Sequence, residues 1–142
     1  MSLSSNRFRT NALSLIASAV LLLTAPVTMA QGSSPMFNYL QHCVGCHLPD
    51  GSGFPPEVPN LRNDFGYLID SPEGRDFMSR VPGVVGAPMN AEDTAALLNW
   101  MITTFSPAGT EFEPFTSEEI LAGRERPLHD PLKYRQQLLP EH

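Results

Sequence analysis

A small all-α fold is what the sequence predicts, and three kinds of observation predict it. Ser34-Pro35, Ser71-Pro72 and Asp130-Pro131 each set a capping side chain before a proline suited to the first turn of a helix. Apolar residues recur at helical spacing after the first of these pairs and after Asn90. The stretches between are rich in proline and glycine, and neither a strand nor a βαβ pattern is visible.

Residues 1–30 differ from the rest. Arg7 and Arg9 form a basic leader, residues 12–24 are an apolar run broken only by Ser14 and Ser18, and Thr28-Met29-Ala30 offers small residues for a cleavage site. The run falls short of the roughly 20 residues of a comfortable membrane span. The expectation is an export signal cleaved after Ala30, with no stable membrane insertion afterwards. Cleavage leaves 112 of the 142 residues, one domain by length, and takes the formal charge from −6 to −8. An acidic surface argues against nucleic acid and anionic lipid as partners. It suits docking onto a basic patch of another protein, and it equally serves plain solubility.

The elements follow in order. Ser34-Pro35 opens a first helix with Met36, Tyr39, Leu40 and Cys43 at helical spacing. That helix runs straight into Cys43-Val44-Gly45-Cys46-His47. Residues 48–62 contain Pro49, Gly51, Gly53, Pro55, Pro56 and Pro59 and are expected to be irregular. Residues 63–70 make a short apolar segment, with Phe65, Tyr67, Leu68 and Ile69 available for packing. Ser71-Pro72-Glu73 starts a helix carrying Phe77 and Met78 and ending near Val81-Pro82. Residues 83–88 read as a second irregular loop. Asn90 caps the strongest helix, whose broad apolar face holds Leu97, Leu98, Trp100, Met101, Ile102 and Phe105. Trp100 is expected to cross the first helix near Met36 and Tyr39. In the last stretch, Phe112 and Phe115 lie in an extended acidic segment. Thr116-Ser117-Glu118-Glu119 is a capping box opening a helix to about Arg126, and Asp130-Pro131 opens another through Leu139. Helices this short do not stand alone, so they must pack on the rest of the chain or on a partner.

Cys43-Val44-Gly45-Cys46-His47 carries the chemistry. C-x-x-C-H is the attachment signature of a c-type haem. Two thiols at this spacing add across the two haem vinyl groups, and His47 then supplies an imidazole nitrogen as proximal iron ligand. Gly45 has no side chain to press against the porphyrin edge. A redox dithiol and half of a zinc site are the competing readings. A zinc site wants a second cysteine or histidine pair, and the chain has no other cysteine. Export and the motif support each other, because covalent haem is normally attached outside the bacterial cytoplasm. The proline loop would wrap the proximal side. Pro59 is the choice for the carbonyl that accepts the Nδ1–H of His47; a simple stiffening role is its other reading. His42 reads as a surface residue, and His129 would reach an iron only if the tail folded back.

A first helix ending in C-x-x-C-H, a Gly/Pro loop, the Pro59-Asn60-Leu61 element and a last helix with Trp100 near its middle resemble the small bacterial class I c-type cytochromes. The resemblance covers residues 36–105. It implies a cytochrome c-like all-α domain around one haem c over residues 31–110, with residues 111–142 as a short helical extension. It implies electron transfer, often in the service of periplasmic dehydrogenases, quinoprotein ones included. The departure concerns the sixth iron ligand. The family supplies a methionine, often followed by proline, several residues before the last helix; in that register this chain has Val81-Pro82. Met89, preceded by Pro88, is one candidate, Met78 a second, and an iron without methionine the third. Met89 also directly precedes the cap Asn90, where a packing residue usually sits. Met36 and Met101 read as core.

The expected function is that of a periplasmic one-electron carrier rather than a catalyst. A dehydrogenase would be the donor and a cytochrome or an oxidase the acceptor, with transfer at the haem edge near Cys43 and Cys46. Two alternatives stand beside it. A five-coordinate haem protein would take up a small ligand or act on peroxide, although no distal His-Arg pair is visible. A cytochrome subunit of a larger redox complex would dock through residues 111–142.

Overall fold

The computed structural model describes residues 32–139. The export signal expected over residues 1–30 lies outside them. All the regular structure among the described residues is helical, in seven segments. No helix among them is long and apolar enough to cross a membrane.

Helix α1, Pro35–His42, starts where Ser34 Oγ accepts from Phe37 N at 3.3 Å. Its eight residues bury only Asn38 and Tyr39. Met36 is therefore not core: it is 56% exposed and lies with Phe37 and Leu40 on an uncovered face. The residues read as a short apolar segment form a second helix, α2, Leu61–Ile69. Asn60 caps it by accepting from Arg62 N at 3.1 Å, and Leu61, Phe65, Leu68 and Ile69 turn to one buried side. α3 is Pro72–Arg80, capped by Ser71, and it buries Phe77 and Met78. α4, Pro82–Val85, is a single turn that runs from the expected end of α3 into the stretch expected to be irregular, with Pro82 at its first position.

The long helix α5, Ala91–Phe105, is the axis of the core. Asn90 caps it, and Leu97, Leu98, Met101, Ile102 and Phe105 are buried. Trp100 meets α1 as expected: its ring centroid lies 5.5 Å from that of Tyr39, and Phe105 closes the trio at 5.1 Å from Tyr39 and 5.7 Å from Trp100.

The extension folds back on the same core. Extended residues 111–116 are fastened by Asn99, which accepts from Phe115 N at 2.7 Å and donates to Phe115 O at 3.0 Å. α6, Ser117–Arg124, opens with the full capping box: Thr116 Oγ1 accepts from Glu119 N, and Glu119 Oε2 accepts from Thr116 N. α7, Pro131–Leu138, is capped by Asp130. Phe115 and Ile120 are buried. The Arg75 guanidinium sits 4.1 Å from the Phe115 ring centre and pairs with Glu119 at 2.8 Å. Residues 32–110 and 111–139 thus share one core, and Leu121 is the large apolar side chain that the extension leaves exposed.

Candidate functional site

α1 delivers the Cys43–His47 turn. Cys43 is its C-cap, with its amide donating to Tyr39 O at 2.9 Å. Two more backbone bonds close the turn: Cys46 N and His47 N both donate to Cys43 O, at 3.1 and 2.9 Å. Three side chains of chemical use thereby fall within one turn of chain. Neither thiol is in a disulfide; Cys43 is half-buried and Cys46 exposed. A Cβ on Gly45 would meet nothing within 4 Å, so the middle of the turn faces open space.

Tyr39 ties this turn to the core. Its fully buried ring packs on α5, and its hydroxyl donates to Leu48 O at 2.6 Å. Burial, with the charges of Cys43 and Asp50 behind it, pushes the phenol up to about 12, so it remains a donor at every working pH. After Leu48 the chain turns tightly: Gly51 N donates to Leu48 O, and Leu48 N to Ser52 O. Gly51 takes φ +83° and lies so close to α5 that a Cβ would stand 2.6 Å from the Phe105 ring.

The proline loop then passes beside His47. Burial lowers the pKa of His47, and the Pro59 carbonyl acts in the opposite direction. Nδ1 is buried but makes no hydrogen bond of normal geometry. The net shift keeps the ring neutral near pH 7, the form that binds metals. Cys43 is shifted the other way. Burial first, then the neighbouring Cys46, pushes its thiol up to about 11. Cys43 is thus held as the thiol near neutral pH. Among the described residues no three His, Cys, Asp or Glu side chains converge as a metal cluster.

The remaining candidates lie elsewhere. Met78 is enclosed in the core on α3, at 3% exposure. Met89 is half-buried beside the first turn of α5, whereas the loop after the motif lies against Phe105 in its last turn. The rise of a 15-residue helix, about 22 Å, runs between those ends. The Met89 carbonyl accepts from Arg124 Nη2 at 2.7 Å. His42 ends α1, and His129 lies on the exposed approach to α7.

Two arginines of the extension, not anticipated from the sequence, reach the candidate residues at two separate places. Arg124 holds the Met89 carbonyl and Thr94 Oγ1; Arg135 holds the Pro56 carbonyl. The signal for Arg135 is its placement in α7 beside Tyr134 and one turn from Pro131 and Leu138, the side that packs inward. No protein-family model matches this chain, and no curated protein matches it.

Proposed function

We propose that this chain binds one haem covalently through Cys43 and Cys46 and carries single electrons between redox proteins outside the cytoplasm. The observation that carries the reading is the Cys43–His47 turn itself. It presents two unpaired thiols and a neutral histidine whose Nδ1 points inward beside Pro59. The residues present fit the group in three respects. The thiols are at the right spacing, the open side of Gly45 leaves room for a flat macrocycle, and with Nδ1 turned inward Nε2 is the nitrogen left for iron.

Haem supplies a reversible one-electron couple between ferric and ferrous iron. The chain's own residues would anchor and orient it. Cys43 and Cys46 fix it to the end of α1. The Leu48 carbonyl held by Tyr39 and the backbone bonds to Cys43 O keep His47 in one position. Pro59 offers a carbonyl to the far side of the imidazole, the outer contact that sets ligand strength. A donor such as a periplasmic dehydrogenase and an acceptor such as a cytochrome or oxidase would meet the edge near the exposed Cys46.

The placement of Met89 favours a second reading, an iron without a methionine ligand that takes up a small molecule. Expression with haem-attachment machinery tests both. Wild type should retain haem after denaturation, and Cys43→Ala with Cys46→Ala should not. A weak long-wavelength sulfur-to-iron band that disappears in Met89→Ala supports the carrier. Its absence from wild type, with ready uptake of carbon monoxide by the ferrous form, supports the open site. Wild type that holds no haem after denaturation sinks both.

A further inference from the structure

The loop beside His47 is poorly held by its own residues. Phe54, Pro55, Pro56 and Glu57 are all exposed, and Pro55, Pro56 and Pro59 have no N–H to donate. The loop's own fastenings are few: Val58 N to Phe54 O at 3.1 Å, Leu61 N to Gly51 O at 2.9 Å, and the close seat of Gly53 under the carbonyls of Val58 and Pro59. Yet the Pro59 carbonyl must stand within a few tenths of an ångström of one place to bond His47 Nδ1, which is buried beside it and makes no hydrogen bond of normal geometry. Whatever fixes this loop decides whether that bond closes.

The geometry points to Arg135 as the positioning residue for His47, acting through the proline loop from the far end of the chain. This inference rests on the haem reading above. Arg135 Nη2 donates to Pro56 O at 2.9 Å, and Nε stands 3.8 Å from Asp64 Oδ2 on α2. The two contacts fall on either side of Pro59, so the guanidinium spans the segment that carries the carbonyl. The side chain is nine-tenths buried, and its Nε makes no hydrogen bond of normal geometry. Buried polar atoms are normally hydrogen-bonded, so this guanidinium needs a hold from the residues around it. α7 supplies the hold: Tyr134 packs its ring 5.9 Å from that of Phe77 and under the Arg80 guanidinium. The extension is thereby an outer support of the proximal histidine, a role for residues 111–139 that requires no partner protein.

The test uses holoprotein of wild type, Arg135→Gln and Arg135→Lys, compared by haem content, midpoint potential and the exchange rate of the His47 Nδ1 proton followed by NMR. Arg135→Gln leaves the attachment turn untouched, so haem content should equal wild type. The Nδ1 proton should exchange at least tenfold faster. The midpoint potential should move positive, because a weaker hydrogen bond leaves the imidazole a poorer electron donor to ferric iron. Arg135→Lys keeps the buried charge and one donor, and should restore part of both effects. Wild-type exchange and potential in Arg135→Gln overturn the inference while leaving the haem reading intact. If Arg135→Gln does not fold, unchanged exchange in Arg135→Lys overturns it. Wild type that takes up no haem overturns the haem reading, and the inference falls with it.

Discussion

Residues 43–60 carry every side chain of the proposed attachment motif, yet among them only Gly51 is buried. Residues 111–139 carry no such motif, yet they bury Phe115, Ile120 and Arg135. The first region is held by main-chain hydrogen bonds and by side chains reaching in from outside it, Tyr39 from α1 and Arg135 from α7. The second is held by aromatic packing and by arginines that bond to distant carbonyls. The contrast teaches that the segment with the chemistry is supported mainly by what surrounds it. On the haem proposal, a turn that presents thiols and an imidazole to a large planar group cannot also fill its own core.

If that contrast is right, truncating the extension's anchor should do the greatest damage to stability. Phe115→Ala removes a buried ring, the surface under Arg75 and the packing around Ile120. The expected loss is about 3–5 kcal/mol, the usual range for a buried aromatic cut to alanine. Denaturant melts of the purified protein measure it. A loss below about 1 kcal/mol would place the extension outside the cooperative core and break the comparison.

Much of the fold was legible in the sequence where the signals are local. The Thr116 capping box, the Asn90 cap and the crossing of Trp100 with Tyr39 follow from side chains within a few positions of each other or on one strong apolar face. α2 was obscured because its cap, Asn60, directly follows a proline-rich loop, although Leu61, Phe65 and Leu68 keep helical spacing. Met36 was misplaced because an eight-residue helix buries one narrow side, and Tyr39 occupies it. The motif behind the proposed chemistry is five consecutive residues. Its support was not legible: Arg135 and Pro56 are 79 positions apart, and no short-range pattern couples them.

Two smaller perturbations probe the motif side. Gly51→Ala forces a side chain into φ +83° and against the Phe105 ring. The backbone strain alone should cost about 1–2 kcal/mol. The same variant should slow haem attachment, measured as the fraction of haem-loaded chains, if the Leu48–Ser52 turn positions His47. Equal loading would mean that Cys43 to His47 are placed without help from that turn. Tyr39→Phe removes only the hydroxyl that donates to Leu48 O. The ring stays packed, so the expected cost is about 1 kcal/mol, the net worth of one hydrogen bond. Chemical denaturation reads this directly, and a cost near that of a full cavity would show that the phenol's role had been underestimated.

The smallest effect belongs to the polar seam between α3 and the extension. Asp76 pairs with Arg80 at 2.5 Å and with Arg126 at 2.7 Å, and the latter contact joins the two halves of the chain. Burial alone would raise its carboxyl pKa, but hydrogen bonds and charge from the two arginines outweigh burial and hold it below the ordinary carboxylate range. A folded-state pKa below the unfolded one stabilises the protein above the unfolded value, about 3.9 for aspartate, and that contribution fades as pH falls through the folded value. Melting temperature followed from pH 7 down to about pH 2.5 should therefore drop below about pH 4 in wild type. In Asp76→Asn the acid decline should be shallower, and the difference should shrink in high salt because Arg126 is more than half exposed. Identical acid limbs would show that this seam contributes nothing. The extension would then be held by Phe115, Ile120, the Arg75–Glu119 pair and the arginines that bond to distant carbonyls, without help from Asp76.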